Sequence, residues 1–137
     1  MSNNGLGDTT TPDNRTTTVE ATEDIDAGDI VAIKQDEDDA RLPPAAKAQD
    51  DTSPNVDQVA GVAMEDIDNE EYGTILLSGG VIANVAADVS AGERLDVSAV
   101  AGQADTADGG PLLALSDEGG TDRAGTALAD NEAEVYL

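Results

Sequence analysis

The hydrophobic residues of this chain occur in short runs that glycine, aspartate and serine separate. No segment keeps an apolar stripe at helical spacing over three turns without a glycine or a proline. Short apolar runs between turn residues are typical of β-strands. The pattern therefore predicts an all-β fold. The predicted strands are 29–33, 59–64, 73–77, 80–85, 94–97, 112–115, 125–128 and 134–137.

Residues 1–18 differ from the rest because Met1 and Leu6 are their only apolar side chains. So little apolar surface cannot offset the entropy of ordering the segment, which predicts a flexible N-terminal arm before a single domain over 19–137. The arm either stays a solvated tail or orders by adding a strand to a partner's sheet. Two polar connections, 34–58 and 101–111, are predicted as surface loops, with one helical turn at most over 45–48.

Two sequence blocks repeat at an offset of 64 positions. Residues 24–29 match 88–93, and residues 60–64 match 124–128, in the same register as Tyr72 and Tyr136. We expect two halves, 19–82 and 83–137, that bury their apolar faces together in a small barrel or β-clip. Glycines mark the predicted structural positions. Gly28 and Gly92 are predicted to supply positive φ in turns, and Gly61 and Gly125 to allow close approach to a strand.

Composition excludes several kinds of chemistry. The chain has 137 residues with no His and no Cys, so it lacks an imidazole base, a thiolate nucleophile and the usual zinc ligands. Pairs of carboxylates carry little meaning among 30 acidic residues. The run Asp36-Glu37-Asp38-Asp39 could hold a hard cation, but it lacks the spacing of a calcium loop and is expected to be a solvated charge run. We expect no enzyme activity and no cofactor.

A formal net charge of −24 dominates the electrostatics of the chain. Self-repulsion of this size weakens a compact state in dilute buffer, and molar salt screens it. The composition is typical of a protein that works at high salt. Nucleic acid and anionic membranes are unfavourable partners for such a chain, and no apolar run approaches the ~20 residues that span a bilayer.

The ordered motifs Ala-Gly-Asp-Ile-Val (27–31), Val-Ala-Gly-Val-Ala-Met-Glu-Asp-Ile (59–67), Tyr-Gly-Thr-Ile-Leu-Leu-Ser-Gly-Gly-Val (72–81) and Val-Ser-Ala-Gly-Glu-Arg-Leu (89–95), with 124–130 after them, resemble the capsid decoration (cement) proteins of tailed viruses. The resemblance covers about residues 19–137. It implies a β-barrel or β-clip, often trimeric, that stabilises a shell of major capsid proteins from the outer surface of the virion. With the charge, it implies a virus of a halophilic archaeon.

On this reading the arm and the least charged strand edges meet the shell. The candidate contact residues are Thr9, Thr10, Thr11, Arg15, Thr16, Thr17, Thr18, Val81 and Ile82. Two other readings stay open. One is a free-standing sugar- or cation-binding barrel, and the other is a small β-clip enzyme, which the missing histidine disfavours.

Overall fold

A computed structural model describes residues 5–34, 42–50 and 56–137. The prediction of an all-β fold is confirmed, because every regular element of these residues is a strand. The ten strands are β1 (Arg15–Ala21), β2 (Ile30–Ile33), β3 (Pro44–Lys47), β4 (Gly61–Ala63), β5 (Tyr72–Ser78), β6 (Gly80–Asn84), β7 (Arg94–Val97), β8 (Ala104–Thr106), β9 (Leu112–Ala114) and β10 (Glu132–Tyr136).

The ten strands form two units with the same order of neighbours. In the first unit β1–β5–β4–β2–β3 are adjacent in that order, and β3 returns to β1 to close a barrel. In the second unit the order is β6–β10–β9–β7–β8. The parallel pairing that closes the first barrel, Ala21 with Ala45, has its counterpart in a single parallel bridge between Val85 and Ala104. The second unit is therefore a less completely closed version of the first.

The turn before β2 and the turn before β7 have equivalent backbone hydrogen bonds. Asp29 N–H donates to the Asp26 carbonyl, and Glu93 N–H donates to the Ser90 carbonyl in the same way, 64 positions later. Gly28 and Gly92 have φ values of 86° and 92° in these turns, which residues with side chains rarely adopt. The first repeated block thus marks equivalent positions in the two units.

The register predicted for the second repeated block is wrong. Gly61 pairs with Val31, and the residue that pairs with Leu95 in the second unit is Leu112, so Gly61 corresponds to Leu112. By the same comparison Tyr72 corresponds to Glu132, which follows from their partners Glu20 and Asn84. The offset falls to 51 at β4 (112 minus 61) because the segment from β2 to β4 is longer than the segment from β7 to β9, and it rises to 60 at β5 (132 minus 72) because the loop from β9 to β10 is longer than the loop from β4 to β5. The units accordingly run from β1 to β5 and from β6 to β10, not over 19–82 and 83–137.

Residues 125–128 do not form the predicted strand; only Ala127 makes an isolated bridge, to Thr121. The Asp122 carboxylate accepts hydrogen bonds from the N–H groups of Ala124 and Thr126, each at 2.9 Å, and so holds this segment as a turn. Gly125 has a φ of 87°, and a Cβ there would meet no atom within 4 Å. Its glycine is required by the turn and not by a close approach. At Gly61 a Cβ would lie 2.3 Å from the Leu76 carbonyl oxygen, so close packing does require that glycine.

The predicted arm is folded over most of its length. β1 begins at Arg15, and Thr9 forms an antiparallel bridge with Val81. The reason is that the polar segment gains backbone hydrogen bonds along existing strands, which the count of apolar residues does not register. Residues 44–47 also form a strand, β3, and not a helical turn, because Ala45 and Ala46 are buried against β1 and β2.

Small aliphatic residues fill two cores. One lies inside the first barrel and includes Val19, Val31 and Ile75. The other fills the second unit and extends to Ile30 and Leu76 of the first unit. Because strand residues alternate between faces, β2 and β5 contribute one face to each core. The two units therefore pack on each other through a shared apolar core.

Candidate docking surface

The turn between β5 and β6 lies where the N-terminal segment, β5, β6 and the end of β10 meet. Gly79 and Leu137 exchange two backbone hydrogen bonds of 3.3 and 3.0 Å. The Thr11 hydroxyl accepts a hydrogen bond from Gly80 N–H and donates one to the Asn14 side chain, both at 2.9 Å. Arg15 pairs with Ser78. We call this surface the Gly79 corner. It comprises Thr11, Asp13, Asn14, Arg15, Leu77, Ser78, Gly79, Tyr136 and Leu137.

The Gly79 corner exposes apolar side chains and carries two charged ones, Arg15 and Asp13. Leu77 and Tyr136 are 39% and 45% exposed, and they are among the few large hydrophobic side chains at the described surface. Residues 72–84 contain no charged side chain. Arg15 is exposed and adds a positive charge. Exposed apolar area next to an arginine, with few carboxylates, is typical of the centre of a protein interface.

The opposite end of β1 and β5 is strongly acidic. The loops that follow β1 and precede β5 are joined by a bridge between Ile25 and Ile67. Residues 20–29 and 64–71 carry ten carboxylates and no basic side chain. The first five residues of β5 separate these loops from the Gly79 corner, which corresponds to about 17 Å. The first unit therefore has one strongly acidic end, and the other end of its strands, at the Gly79 corner, carries few charges.

A buried ion pair lies next to Thr10 of the N-terminal segment. The Glu134 side chain is 2% exposed and accepts hydrogen bonds from Arg123 Nη2 at 2.9 Å, Nε at 3.0 Å and the Arg123 backbone N–H at 2.9 Å. Burial alone raises the pKa of this carboxyl, but the hydrogen bonds from Arg123 outweigh burial and hold the pKa below its usual 4.5. The Thr10 hydroxyl lowers the pKa further by its proximity, although it makes no regular hydrogen bond within the described chain.

A second buried carboxylate lies between the two units. Asp29 accepts hydrogen bonds from Asp26 N–H at 2.9 Å and from the Asn84 amide at 3.3 Å, and its carboxylate lies 4.0 Å from the Lys47 ammonium. Gly102 packs directly against it, since a Cβ there would lie 2.8 Å from the carboxyl carbon. Burial raises the pKa of Asp29, and these partners compensate only in part. This contact fixes the β7–β8 connection against the first unit.

The structure brings most of the candidate contact residues to one region, in different roles. Thr11 and Arg15 lie in the Gly79 corner, and Thr16, Thr17 and Thr18 follow along β1. Thr9 bridges to Val81, and Thr10 N–H donates to Gly80. Val81 and Ile82 are fully buried and cannot contact a partner directly, which corrects their assignment. Leu77 and Tyr136 were missed, although the absence of charge over 72–84 could have indicated them.

Other kinds of site receive no support from the described residues. No group of three or more carboxylates within residues 5–34, 42–50 and 56–137 is arranged to hold a metal ion. The candidate cation run, Asp36 to Asp39, lies outside the described residues. In the part of the chain that the structure covers, no helix is long and apolar enough to cross a membrane.

Comparison with known proteins places the fold. No protein-family model matches the chain, and no curated protein matches it. A solved structure, that of the head fiber gp8.5 N base in bacteriophage phi29, matches with a TM-score of 0.60 at 15% identity. The match covers 90% of this chain and 93% of that chain. Over nearly its whole length, the chain therefore shares the fold of this head-fibre base.

Proposed function

We propose that the protein is a structural component of a virion that binds the outer surface of an icosahedral capsid and stabilises its shell of major capsid proteins. The observation that carries the proposal is the fold shared with the phi29 head-fibre base over nearly all of both chains. The sequence motifs that resemble decoration proteins point independently to the same class. No step of this function requires catalysis or a cofactor.

The charge distribution supports one orientation on the shell. A carboxylate that is buried in an interface loses its hydration and must find a partner. The ten carboxylates of the loops at 20–29 and 64–71 would carry this cost many times over, whereas the Gly79 corner contains one carboxylate side chain, Asp13. We therefore place the Gly79 corner against the shell and the acidic loops in solvent. Many copies with modest interfaces hold a shell together because their contacts act jointly.

The two tyrosines provide a matched test of this orientation. Tyr136 lies in the Gly79 corner and is 45% exposed, and Tyr72 lies at the acidic end and is 55% exposed. Exposed tyrosines at an interface centre often dominate its binding energy. We expect Tyr136→Asp to weaken binding to capsids depleted of this protein by at least about tenfold, which corresponds to about 1.4 kcal/mol. Tyr72→Asp should bind like the wild type.

Co-sedimentation with purified capsids at high salt measures how tightly each variant binds. Circular dichroism establishes that each one is folded. Equal binding by the two variants would refute the orientation. Failure of the wild type to bind any capsid, combined with a ligand-dependent rise in melting temperature, would instead favour a free-standing binding module.

A further inference from the structure

One row of side chains differs in exposure between the two units. In the first unit, Ile30 of β2 pairs with Val62 of β4, and Val62 pairs with Leu76 of β5. Residues that pair directly across adjacent strands have their side chains on the same face of the sheet. All three side chains are fully buried, because they pack in one core with the interior side chains of the second unit.

The equivalent row of the second unit stays accessible to solvent in the part of the chain that the structure describes. Arg94 of β7 pairs with Leu113 of β9, and Leu113 pairs with Tyr136 of β10. These residues therefore hold the same places in the second unit as the buried row holds in the first. Arg94 is exposed, Leu113 is half-buried and Tyr136 is 45% exposed. We call these three residues the β9 row.

The β9 row is continuous with the Gly79 corner. Tyr136 belongs to both surfaces, and on its other side it pairs with Gly80 of β6. Adjacent strands lie about 4.8 Å apart, so Arg94 lies two strands and about 10 Å from Tyr136 across the sheet. A partner that docks on the Gly79 corner can therefore reach the whole row.

Arg94 makes no ion pair with any of residues 5–34, 42–50 and 56–137, although the chain has 30 acidic residues. The carboxylates of Glu93 and Asp96, which are close in sequence, accept hydrogen bonds from backbone N–H groups at 2.6 and 2.8 Å. Asp108 lines the same surface cavity of about 310 Å³ as Arg94 without pairing with it. The guanidinium group is thus available to a carboxylate from outside the described chain, and arginine binds carboxylates through two parallel hydrogen bonds.

We propose that the β9 row is part of the surface that binds the capsid shell, and that Arg94 binds a carboxylate of a shell subunit there. This inference rests on the proposed function. In the first unit, aliphatic side chains cover the isoleucine that holds the place of Arg94. An arginine under a similar cover loses its hydration and needs a charged acceptor. The shell must therefore present a carboxylate beside an apolar patch that meets Leu113 and Tyr136.

A second copy of this chain is a less favourable occupant of the β9 row. Each copy has a formal net charge of −24, so association of two copies brings like charges together. The shell partner needs only one carboxylate opposite Arg94.

Charge substitutions at Arg94 test the contact by co-sedimentation with capsids depleted of this protein. We expect Arg94→Glu to weaken binding at least about tenfold, because it places two carboxylates against each other. Arg94→Lys should bind more tightly than Arg94→Gln, since it keeps the positive charge. Lys34→Glu makes the same change in net charge in the first unit and should bind like the wild type. Circular dichroism establishes that each variant is folded.

The outcomes separate this inference from the proposed function. Failure of the wild type to bind capsids would overturn both. Tight binding by the wild type and by Arg94→Glu, with weak binding by Tyr136→Asp, would overturn only the role of the β9 row. Equal weakening by Arg94→Glu and Lys34→Glu would show an effect of net charge and would also overturn it.

Carbodiimide coupling identifies the group that Arg94 meets. The reagent joins a carboxylate to an amine in an amide bond and takes up the water that is lost, so Arg94→Lys provides the required amine. For Arg94→Lys bound to capsids, we expect mass spectrometry to find a peptide that links position 94 to an aspartate or glutamate of a shell subunit. The wild type has no amine at this position and is the control. A link from position 94 only to another copy of this chain, or no link in the capsid-bound protein, would overturn the proposal.

Discussion

Removing Arg123 should destabilise the protein more than neutralising the carboxylate that it binds. The Glu134 side chain is 2% exposed and the Arg123 side chain is 53% exposed. Arg123→Ala therefore leaves a buried charge without its counterion, whereas Glu134→Gln leaves a cation that water can solvate. Removing the counterion of a buried charge costs about 3–5 kcal/mol of stability. We expect about 3 kcal/mol for Arg123→Ala, because the Arg123 backbone N–H still donates to the carboxylate.

Glu134→Gln loses charge-assisted hydrogen bonds but buries no charge, so about 1–2 kcal/mol is expected. The double variant Arg123→Ala/Glu134→Gln should lose about 2 kcal/mol of stability, less than Arg123→Ala alone, because neutralising Glu134 removes the buried charge that has no counterion. Urea unfolding followed by far-UV circular dichroism at neutral pH and high salt measures all three free energies of unfolding. Arg123→Ala within 0.5 kcal/mol of the wild type, or less destabilising than Glu134→Gln, would refute this reasoning.

The same pair predicts a pH dependence. Because the pKa of Glu134 is lowered by folding, the charged carboxylate stabilises the wild type above the ordinary value of 4.5. This stabilisation is lost as the pH falls through the lowered pKa. The deficit of Arg123→Ala relative to the wild type should therefore shrink in acid, as Glu134 becomes protonated in both proteins. A deficit that stays constant from neutral pH to pH ~3 would show that the ion pair is not its cause.

Three further predictions concern charge and packing. Lowering the salt from ~1 M to ~10 mM lengthens the screening distance about tenfold, so the melting temperature should fall; an unchanged value would contradict the repulsion argument. Gly61→Ala places a Cβ 2.3 Å from the Leu76 carbonyl oxygen and should cost about 1–3 kcal/mol in urea unfolding, while the control Gly5→Ala should cost less than ~0.5 kcal/mol. Asp29→Asn should stay within ~1 kcal/mol of the wild type and abolish the gain in stability that its raised pKa gives as the pH falls towards 3.8; a variant that keeps this gain would exclude Asp29 as its source.

The strands that the sequence predicts are those whose burial is visible in the residues themselves. β2, β5 and β6 are apolar runs that end in glycine or polar turns. β1, β3 and β8 escape prediction because threonine, alanine and aspartate dominate them. These strands are defined by their pairing with distant strands, and a local apolar pattern does not contain that information.

The duplication illustrates the same limit. The turns at Gly28 and Gly92 are alike because local hydrogen bonds dictate both, so their sequences match in the correct register. The match of Gly61 with Gly125 is a coincidence of small residues, since one packs under the Leu76 carbonyl and the other lies in an exposed turn. In this chain the two turns match in sequence, whereas the lengths of the loops between strands differ between the units.

The candidate docking surface can be predicted only in part from the sequence. The uncharged stretch 72–84 is evident in a chain with 30 acidic residues. That the end of β10 lies beside the turn that follows Leu77, however, depends on the pairing of Tyr136 with Gly80 and on the hydrogen bonds between Gly79 and Leu137. A surface that is assembled from three distant segments requires the topology of the sheet.

Electron cryomicroscopy of the virus particle, with and without this protein, tests the central claim most directly. We predict additional density for both units on the outer surface of the shell when the protein is present. The Gly79 corner should lie nearest the capsid, with the acidic loops at 20–29 and 64–71 pointing into solvent. Particles without this density, or density with the acidic loops against the shell, would contradict the account.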